Sequence, residues 1–146
     1  MGTCVAVPCC ETERNAELDL PPPYVQGNDY QKFELSLPFC QTYAHIFAKR
    51  VQAAAEIDKS NGKGDGSTVT LESLRTTLCT PAWIELKKDN SKVTKVINSF
   101  AFKNEDDEIS VDKLMIFAIL NCPDDCDKKS KILYELLQDG GEEKHF

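Results

Sequence analysis

Apolar residues recur at helical spacing along most of this chain, in segments that are separated by polar loops. The segment "SKVTKVINSF" has the most regular pattern, with apolar side chains at i, i+3, i+4 and i+7, which lie on one face of a helix. Those positions are Val93, Val96, Ile97 and Phe100. No alternating strand pattern longer than three residues occurs. The pattern predicts an all-α domain with Phe100 and Phe117 buried in its core.

Five helices are predicted, in the order helix, polar loop, helix, connection, helix, polar loop, helix and one more helix. The first is expected to start near Pro38, with Ser36 as its cap. Its apolar face would consist of Phe39, Tyr43, Ile46, Phe47, Val51 and Ala54. The two loops, "DKSNGKGDGST" and "AFKNEDDE", are polar and carry most of the candidate chemistry of the chain.

The final helix is predicted at about residues 125–138. Its inward side chains are expected to be Leu133, Leu136 and Leu137. Gly140 and Gly141 follow this segment, and because glycine favours helix ends they are expected to stop it.

The N-terminal quarter of the chain has a different composition. Residues 11–37 contain three consecutive prolines and scattered acids with little periodicity, which predicts a disordered linker. Residues 1–10 then form a separate N-terminal segment. Residues 38–140 form the helical domain, and residues 141–146 form a tail.

The charge of the chain is −7 and unevenly distributed. Residues 1–38 carry −4, residues 39–100 carry +3 and residues 101–146 carry −6. A chain with this balance is a poor candidate for nucleic-acid binding, because binding depends on neutralising phosphates. The sequence also shows no nucleophile–base pair, phosphate-binding loop or metal cluster. We therefore expect neither nucleic-acid binding nor enzymatic activity.

The two helix–loop–helix units resemble a tandem pair of EF-hands. In that family a glycine at loop position 6 makes a sharp turn, and an aliphatic residue at position 8 pairs with the partner loop. In "GDGSTVTLESLRTTL", Gly66 and Val69 match these positions if one extra residue lies between them. In "NEDDEISVDKL", Ile109 matches position 8 and Ser110 starts the exit helix. The resemblance implies that Val69 and Ile109 pair.

The helix order extends this resemblance to about residues 39–140. The segment "KSKILYELLQDGG" is similar to the entering helix of a third EF-hand. The chain thus resembles the N-terminal half of a recoverin- or calcineurin B-type protein with one further helix. An unrelated five-helix bundle with acidic loops is the alternative fold.

The first loop departs from a calcium-binding loop in its ligands. Calcium needs six to eight oxygens, including a bidentate carboxylate at position 12. Counted from Val69 as position 8, position 12 is Ser73, and a shift of one residue makes it Glu72. With Asp58 as position 1, the loop is about four residues too long. Asp58, Asp65 and Glu72 are therefore candidate ligands for one weakly bound calcium ion.

The second loop is less suited to calcium. With Ile109 as position 8, position 1 is Phe102 and position 12 is Lys113. An ammonium at the closing position repels a cation. Asn104 and Asp106 remain as candidate ligands at positions 3 and 5. We expect no cofactor, or one weak calcium ion, and a fold that forms without metal.

The opening segment "MGTCVAVPCC" is predicted to carry lipids. No basic residue or long apolar run marks a secretory signal, so the seven cysteines are expected in a reducing cytosol. Gly2 is a candidate for myristoylation, although Ala6 stands where Ser or Thr is usual. Cys4, Cys9 and Cys10 are candidates for palmitoylation. These features predict a protein held by acyl chains at the cytoplasmic face of a membrane.

A short proline motif, "PPPY", lies within the predicted linker and matches the PPxY ligands of WW domains. Its residues are Pro21, Pro22, Pro23 and Tyr24.

Two functions are consistent with these features. The first is a membrane-anchored EF-hand-like adaptor or sensor that binds a partner helix in an apolar groove between its helices. The second is a lipid-anchored scaffold that recruits WW-domain proteins through this motif.

Overall fold

The computed structural model of the chain describes residues 19–24 and 26–141. Its α-helices are α1 (Asp29–Leu35), α2 (Ala44–Ser60), α3 (Leu71–Thr77), α4 (Lys92–Ile97), α5 (Val111–Asn121) and α6 (Cys126–Gly141). Three 3-10 helices cover Pro38–Gln41, Pro81–Lys87 and Phe100–Phe102. The described residues also form two short strands, β1 (Thr68–Val69) and β2 (Ile109–Ser110). The mostly helical structure confirms the predicted all-α class.

The two strands join the two polar loops as an antiparallel pair. Thr68 lies opposite Ser110, and Val69 lies opposite Ile109. Val69 and Ile109 are both buried, so their side chains add to the core beneath the loops. The expected pairing of these two aliphatic residues is therefore present.

Helix α2 lies at the centre of the fold and packs against α3, α5 and α6. It is 17 residues long and buries Phe47, Val51 and Ala54 on one face, as the periodicity predicts. It begins later than predicted, however. Pro38 opens a separate 3-10 turn, and α2 starts only at Ala44, after Tyr43 in extended conformation. Tyr43 is therefore exposed and not part of the buried face as expected, since the chain does not run as one helix from Pro38.

An aromatic cluster lies within the core. The ring of Phe39 contacts those of Phe47, Trp83 and Phe117, with centroid distances of 5.4, 5.1 and 4.5 Å. Trp83 is buried, and its indole Nε1 donates a hydrogen bond to Thr42 Oγ1 at 2.8 Å. The cluster joins the first 3-10 turn to α2, to the connection after α3 and to α5. It therefore holds the two helix–loop–helix units together.

The prediction that Phe100 is buried is wrong, because this side chain is 90% exposed. Helix α4 ends at Ile97, and Phe100 opens a 3-10 turn instead of extending the α-helical stripe. A 3-10 helix has three residues per turn, whereas an α-helix has 3.6. Residues after α4 therefore do not continue the apolar face of that helix. Phe102 takes the inward position and contacts Phe117 at 5.1 Å. Phe117 itself is half-buried and packs against the core.

The inward face of α6 differs from the prediction by one residue. Ile132 is buried and Leu136 is half-buried, whereas Leu133 and Leu137 are about half exposed. The expected inward positions of Leu133 and Leu137 are therefore wrong. The helix also continues to Gly141, so the two glycines do not end it at residue 138.

Part of the predicted linker is helical. Asn28 caps α1, and its side chain and that of Gln31 bond reciprocally to each other's backbone N–H groups at 2.9 and 3.1 Å. Ser36, which was expected to cap the next helix, instead ends α1. Further upstream, the N–H of Leu20 donates to the carbonyl of Gln41. The folded body therefore begins before residue 38.

Candidate functional site

The carboxylate of Asp58 lies at the end of α2 and is buried. It accepts hydrogen bonds from the backbone N–H of Thr70 at 2.7 Å and from its hydroxyl at 3.0 Å. The hydroxyl of Ser73 donates a third bond at 2.6 Å. Thr70 also caps α3 by accepting from the N–H of Ser73. Asp58 thus ties the end of α2 to the start of α3.

These donors change the chemistry expected of the first loop. Counting from Val69 places Ser73 at the closing position, where a carboxylate would help Asp58 to surround a cation. Here a hydroxyl at that position donates directly to Asp58. Three protein donors satisfy the buried negative charge, as buried charges require. In the first loop, hydrogen bonds from Thr70 and Ser73 therefore take the place that contacts to a cation would have at Asp58.

The structure does not gather the three candidate ligands of this loop into a group that could hold a metal ion. Asp65 is exposed and accepts from the hydroxyl of Ser67 at 2.6 Å and from its N–H at 3.0 Å. These two hydrogen bonds lower the pKa of the Asp65 carboxyl. Glu72 is exposed in the first turn of α3. Gly66 makes the expected sharp turn, with a φ of 97° that favours glycine.

In the second loop, the side chain of Asn104 supports the turn. Its Oδ1 accepts from the N–H groups of Asp106 and Glu108, both at 2.9 Å. Asp106 is exposed. Asp107 has a φ of 63°, a conformation that non-glycine residues adopt rarely but that aspartate tolerates better than most. Asn104 thus takes the role of a turn residue.

Two lysines supply positive charge to this loop. The Nζ of Lys113 donates to the backbone carbonyl of Lys103 at 2.7 Å. The Nζ of Lys103 donates to the carbonyl of Asp107 at 3.3 Å and lies 3.6 Å from its carboxylate. Within residues 19–24 and 26–141, no group of three or more His, Cys, Asp or Glu side chains is arranged to hold a metal ion.

A groove of about 670 Å³ lies between α4 and α5 and is here called the α4–α5 groove. Helix α5 contributes a stripe at i, i+3, i+4 and i+7: Lys113, Ile116, Phe117 and Leu120. Helix α4 contributes Lys92, Lys95 and Val96. The side chain of Phe33 on α1 reaches one edge, and Phe102 lines the interior.

Large apolar side chains of this groove face solvent. Leu120 is 74% exposed, Ile116 is 49% exposed and Phe33 is 43% exposed. Helix α1 has no buried residue, so Phe33 lies at the groove without being enclosed. Contiguous exposed apolar surface of this kind marks interaction sites. Sequence periodicity could not locate the expected groove, because α5 is apolar on nearly all sides and a stripe toward solvent cannot be told from a stripe toward the core.

The other predicted sites belong to the N-terminal part of the chain, where the structure describes residues 19–24 and those from 26 onward. Gly2, Cys4, Cys9 and Cys10 lie outside the described residues. Of the proline motif, Pro21, Pro22 and Tyr24 are exposed, with Tyr24 at 85%, and Pro23 is half-buried. The carbonyl of Leu20, just before the motif, accepts from the side chain of Gln41 at 3.0 Å. The motif therefore follows a segment that is bonded to the folded body.

The described cysteines differ in state. Cys40, Cys122 and Cys126 are free thiols. Cys79, in contrast, is disulfide-bonded. Burial raises the pKa of Cys122 to about 12, which keeps its thiol protonated and unsuited to bind a metal.

No helix among the described residues is long and apolar enough to cross a membrane. No family model matches the chain, and no curated protein or solved structure matches it either.

Proposed function

We propose that this chain is an EF-hand-like adaptor that binds a partner helix in the α4–α5 groove and does not need calcium to do so. The observation that carries the proposal is the exposed apolar lining of this groove between two helices. An amphipathic helix lays its apolar face into grooves of this type. Leu120 and Ile116 would then become buried against the partner.

Two features support the EF-hand-like part of the proposal. The loops are joined by a two-residue antiparallel pair at the expected aliphatic positions, Val69 and Ile109. Gly66 makes the turn that the resemblance implies. An unrelated helical bundle has no need for such a pair between its loops. The loss of calcium is supported by the hydrogen bonds to Asp58 and by the ammonium of Lys113.

The second candidate function is a scaffold that recruits WW-domain proteins. The exposure of Tyr24 and of two of the three prolines favours it, because the motif is accessible to an aromatic groove. The two candidates use different surfaces of the same chain and can be separated by one binding experiment.

Two probes separate the candidates when the full chain is titrated by calorimetry. The first probe is an amphipathic peptide of about 18 residues with one leucine stripe, long enough to span about 27 Å as a helix. The second is an isolated WW domain. We expect the peptide to bind and Leu120→Asp to weaken it by about tenfold or more, because a charge would enter the apolar contact. Leu137→Asp on α6, also at an exposed leucine, is the matched control.

The outcomes are distinct. If the peptide does not bind, or if Leu120→Asp and Leu137→Asp weaken it equally, the groove is not the binding site. If the WW domain binds instead and Tyr24→Ala abolishes that binding, the scaffold function replaces the adaptor function.

We further propose that acyl chains hold the adaptor at the cytoplasmic face of a membrane, on Gly2 and on the free thiols among Cys4, Cys9 and Cys10. One myristoyl chain binds a membrane only marginally, so a second lipid is needed for stable anchoring. Residues 1–38 carry −4, which rules out a basic patch there as the second signal.

In cells, Gly2→Ala is expected to move the protein from the membrane pellet to the soluble fraction, because myristoylation needs the glycine amine. Replacing Cys4, Cys9 and Cys10 with serine is expected to do so nearly as fully. Cys126→Ser, at an exposed free thiol on α6, is the control and should leave the distribution unchanged. Persistence of both N-terminal variants in the pellet would contradict the anchor.

A further inference from the structure

The rim of the α4–α5 groove is positively charged on both of the helices that line it. Lys92 and Lys95 come from α4, and Lys113 comes from α5. Lys92 and Lys95 are three positions apart and therefore share a face of α4. No Asp or Glu side chain is among the described residues that line the groove. The apolar surface is thus bordered by cations without a neutralising acid in its lining.

The three ammonium groups keep donors for a ligand. The Nζ of Lys113 donates to the carbonyl of Lys103, and the Nζ of Lys92 donates to the hydroxyl of Ser36 at 3.3 Å. Lys92 also lies 5.7 Å from the ring centroid of Phe33. Each ammonium has three N–H donors, so these neutral contacts leave further donors and the full charge.

The charge of the rim differs in sign from that of the chain as a whole, which is −7. A basic helix would be attracted to the protein at long range but would meet repulsion at the groove. An acidic helix would gain at the groove itself, where the contact distances are short and screening by salt is weakest. Local complementarity therefore decides which helix fits this surface.

We infer that the partner is an amphipathic helix whose apolar stripe is bordered on both sides by Asp or Glu. This inference rests on the proposed function of the same groove. The apolar stripe fills the space between Val96 and Leu120, and the flanking carboxylates reach the lysines of α4 and α5. A concave space of about 670 Å³ between two helices fits a helix better than a flat anionic bilayer, which would contact the rim and leave the interior empty.

Three peptides test the inference with the full chain. They share one leucine stripe and differ only in flanking residues, which are Glu, Gln or Lys. At low salt we expect the Glu peptide to bind about tenfold more tightly than the Gln peptide, from three exposed charge pairs of modest strength each. The Lys peptide should bind most weakly. At about 1 M salt, where the screening length is about 3 Å, the three affinities should converge.

The lysine variants identify the source of this preference. The double variant Lys92→Gln and Lys95→Gln should remove most of the difference between Glu and Gln peptides. The matched control is Lys128→Gln with Lys131→Gln, two exposed lysines at the same spacing on α6. All four side chains are exposed, so both variants should melt like the wild type, and the control should keep the preference.

Each other outcome overturns the inference in a distinguishable way. Equal binding of Glu and Gln peptides refutes the acidic partner but leaves the groove as a helix site. Absence of binding by all three peptides refutes the proposed function as well. Lysine-dependent binding to phosphatidylserine vesicles without peptide binding assigns the surface to a membrane. A dimer in sedimentation that the Leu120→Asp variant abolishes assigns it to a second copy of the chain.

Discussion

Replacing Phe47 with alanine is expected to lower the free energy of unfolding by about 3–5 kcal/mol, the usual range for a large aromatic core residue. Phe47 is fully buried on α2 and contacts the rings of Phe39 and Trp83. Its removal would leave a cavity that the neighbouring rings cannot fill, because each is held by other contacts. Since small domains are stable by only about 5–15 kcal/mol, the variant should be close to unfolding. Urea denaturation followed by circular dichroism measures the change.

The same substitution at Phe100 is the matched control. Phe100 is 90% exposed, so Phe100→Ala should change the unfolding free energy by no more than about 0.5 kcal/mol. A large loss of stability in Phe100→Ala would contradict the 3-10 turn that directs this side chain to solvent. A small loss in Phe47→Ala would contradict the aromatic cluster as the centre of the core.

Replacing Asp58 with alanine is expected to lower the unfolding free energy by roughly 2–4 kcal/mol. Hydrogen bonds to a charged group contribute about 1.5–3 kcal/mol each, and unsatisfied buried donors add a further cost. The donors left without their acceptor would be the N–H and hydroxyl of Thr70 and the hydroxyl of Ser73. Water entering the space would offset part of the loss. Asp65→Ala, in which an exposed carboxylate accepts only from Ser67, is the control and should cost little.

The role of Asp58 as an acceptor within the protein also predicts the response to calcium. Thermal melts of the full chain should be the same in calcium and in chelator, and calorimetry should show at most one site, of about millimolar affinity. Sensor loops bind calcium at about 10⁻⁷–10⁻⁵ M because several carboxylates replace the water of the ion. Micromolar binding at two sites, or helix loss in chelator, would refute the structural role of Asp58 and make the chain a calcium sensor.

Local patterns predicted several parts of the fold correctly. The stripe of Phe47, Val51 and Ala54 identified α2. The pair of Val69 with Ile109 was expected from the resemblance to EF-hands, because it joins two loops that are distant in the sequence. The signal for α1 was also present, since Asn28 and Gln31 have the spacing of a capping box. It was obscured by the prolines and low periodicity around it. The α2 stripe and the capping box depend on neighbours within one or two turns, which a sequence displays directly.

Tertiary contacts decided the features that bear on function. Periodicity placed Phe100 in the core, but the 3-10 turn after α4 exposed it and turned Phe102 inward. The acceptor role of Asp58 depends on Thr70 and Ser73, which are 12 and 15 residues away.

By itself, the sequence determined the helical class, the positions of the two loops and the acidic charge of the whole chain. Only the tertiary structure decided which face of α5 stays uncovered. That helix carries apolar side chains on opposite faces, with Leu114 buried and Leu120 exposed. Burial of one face and exposure of the other depend on which helices pack beside it, and packing partners come from distant parts of the chain. For the same reason, only the structure placed Lys92, Lys95 and Lys113 around one apolar groove.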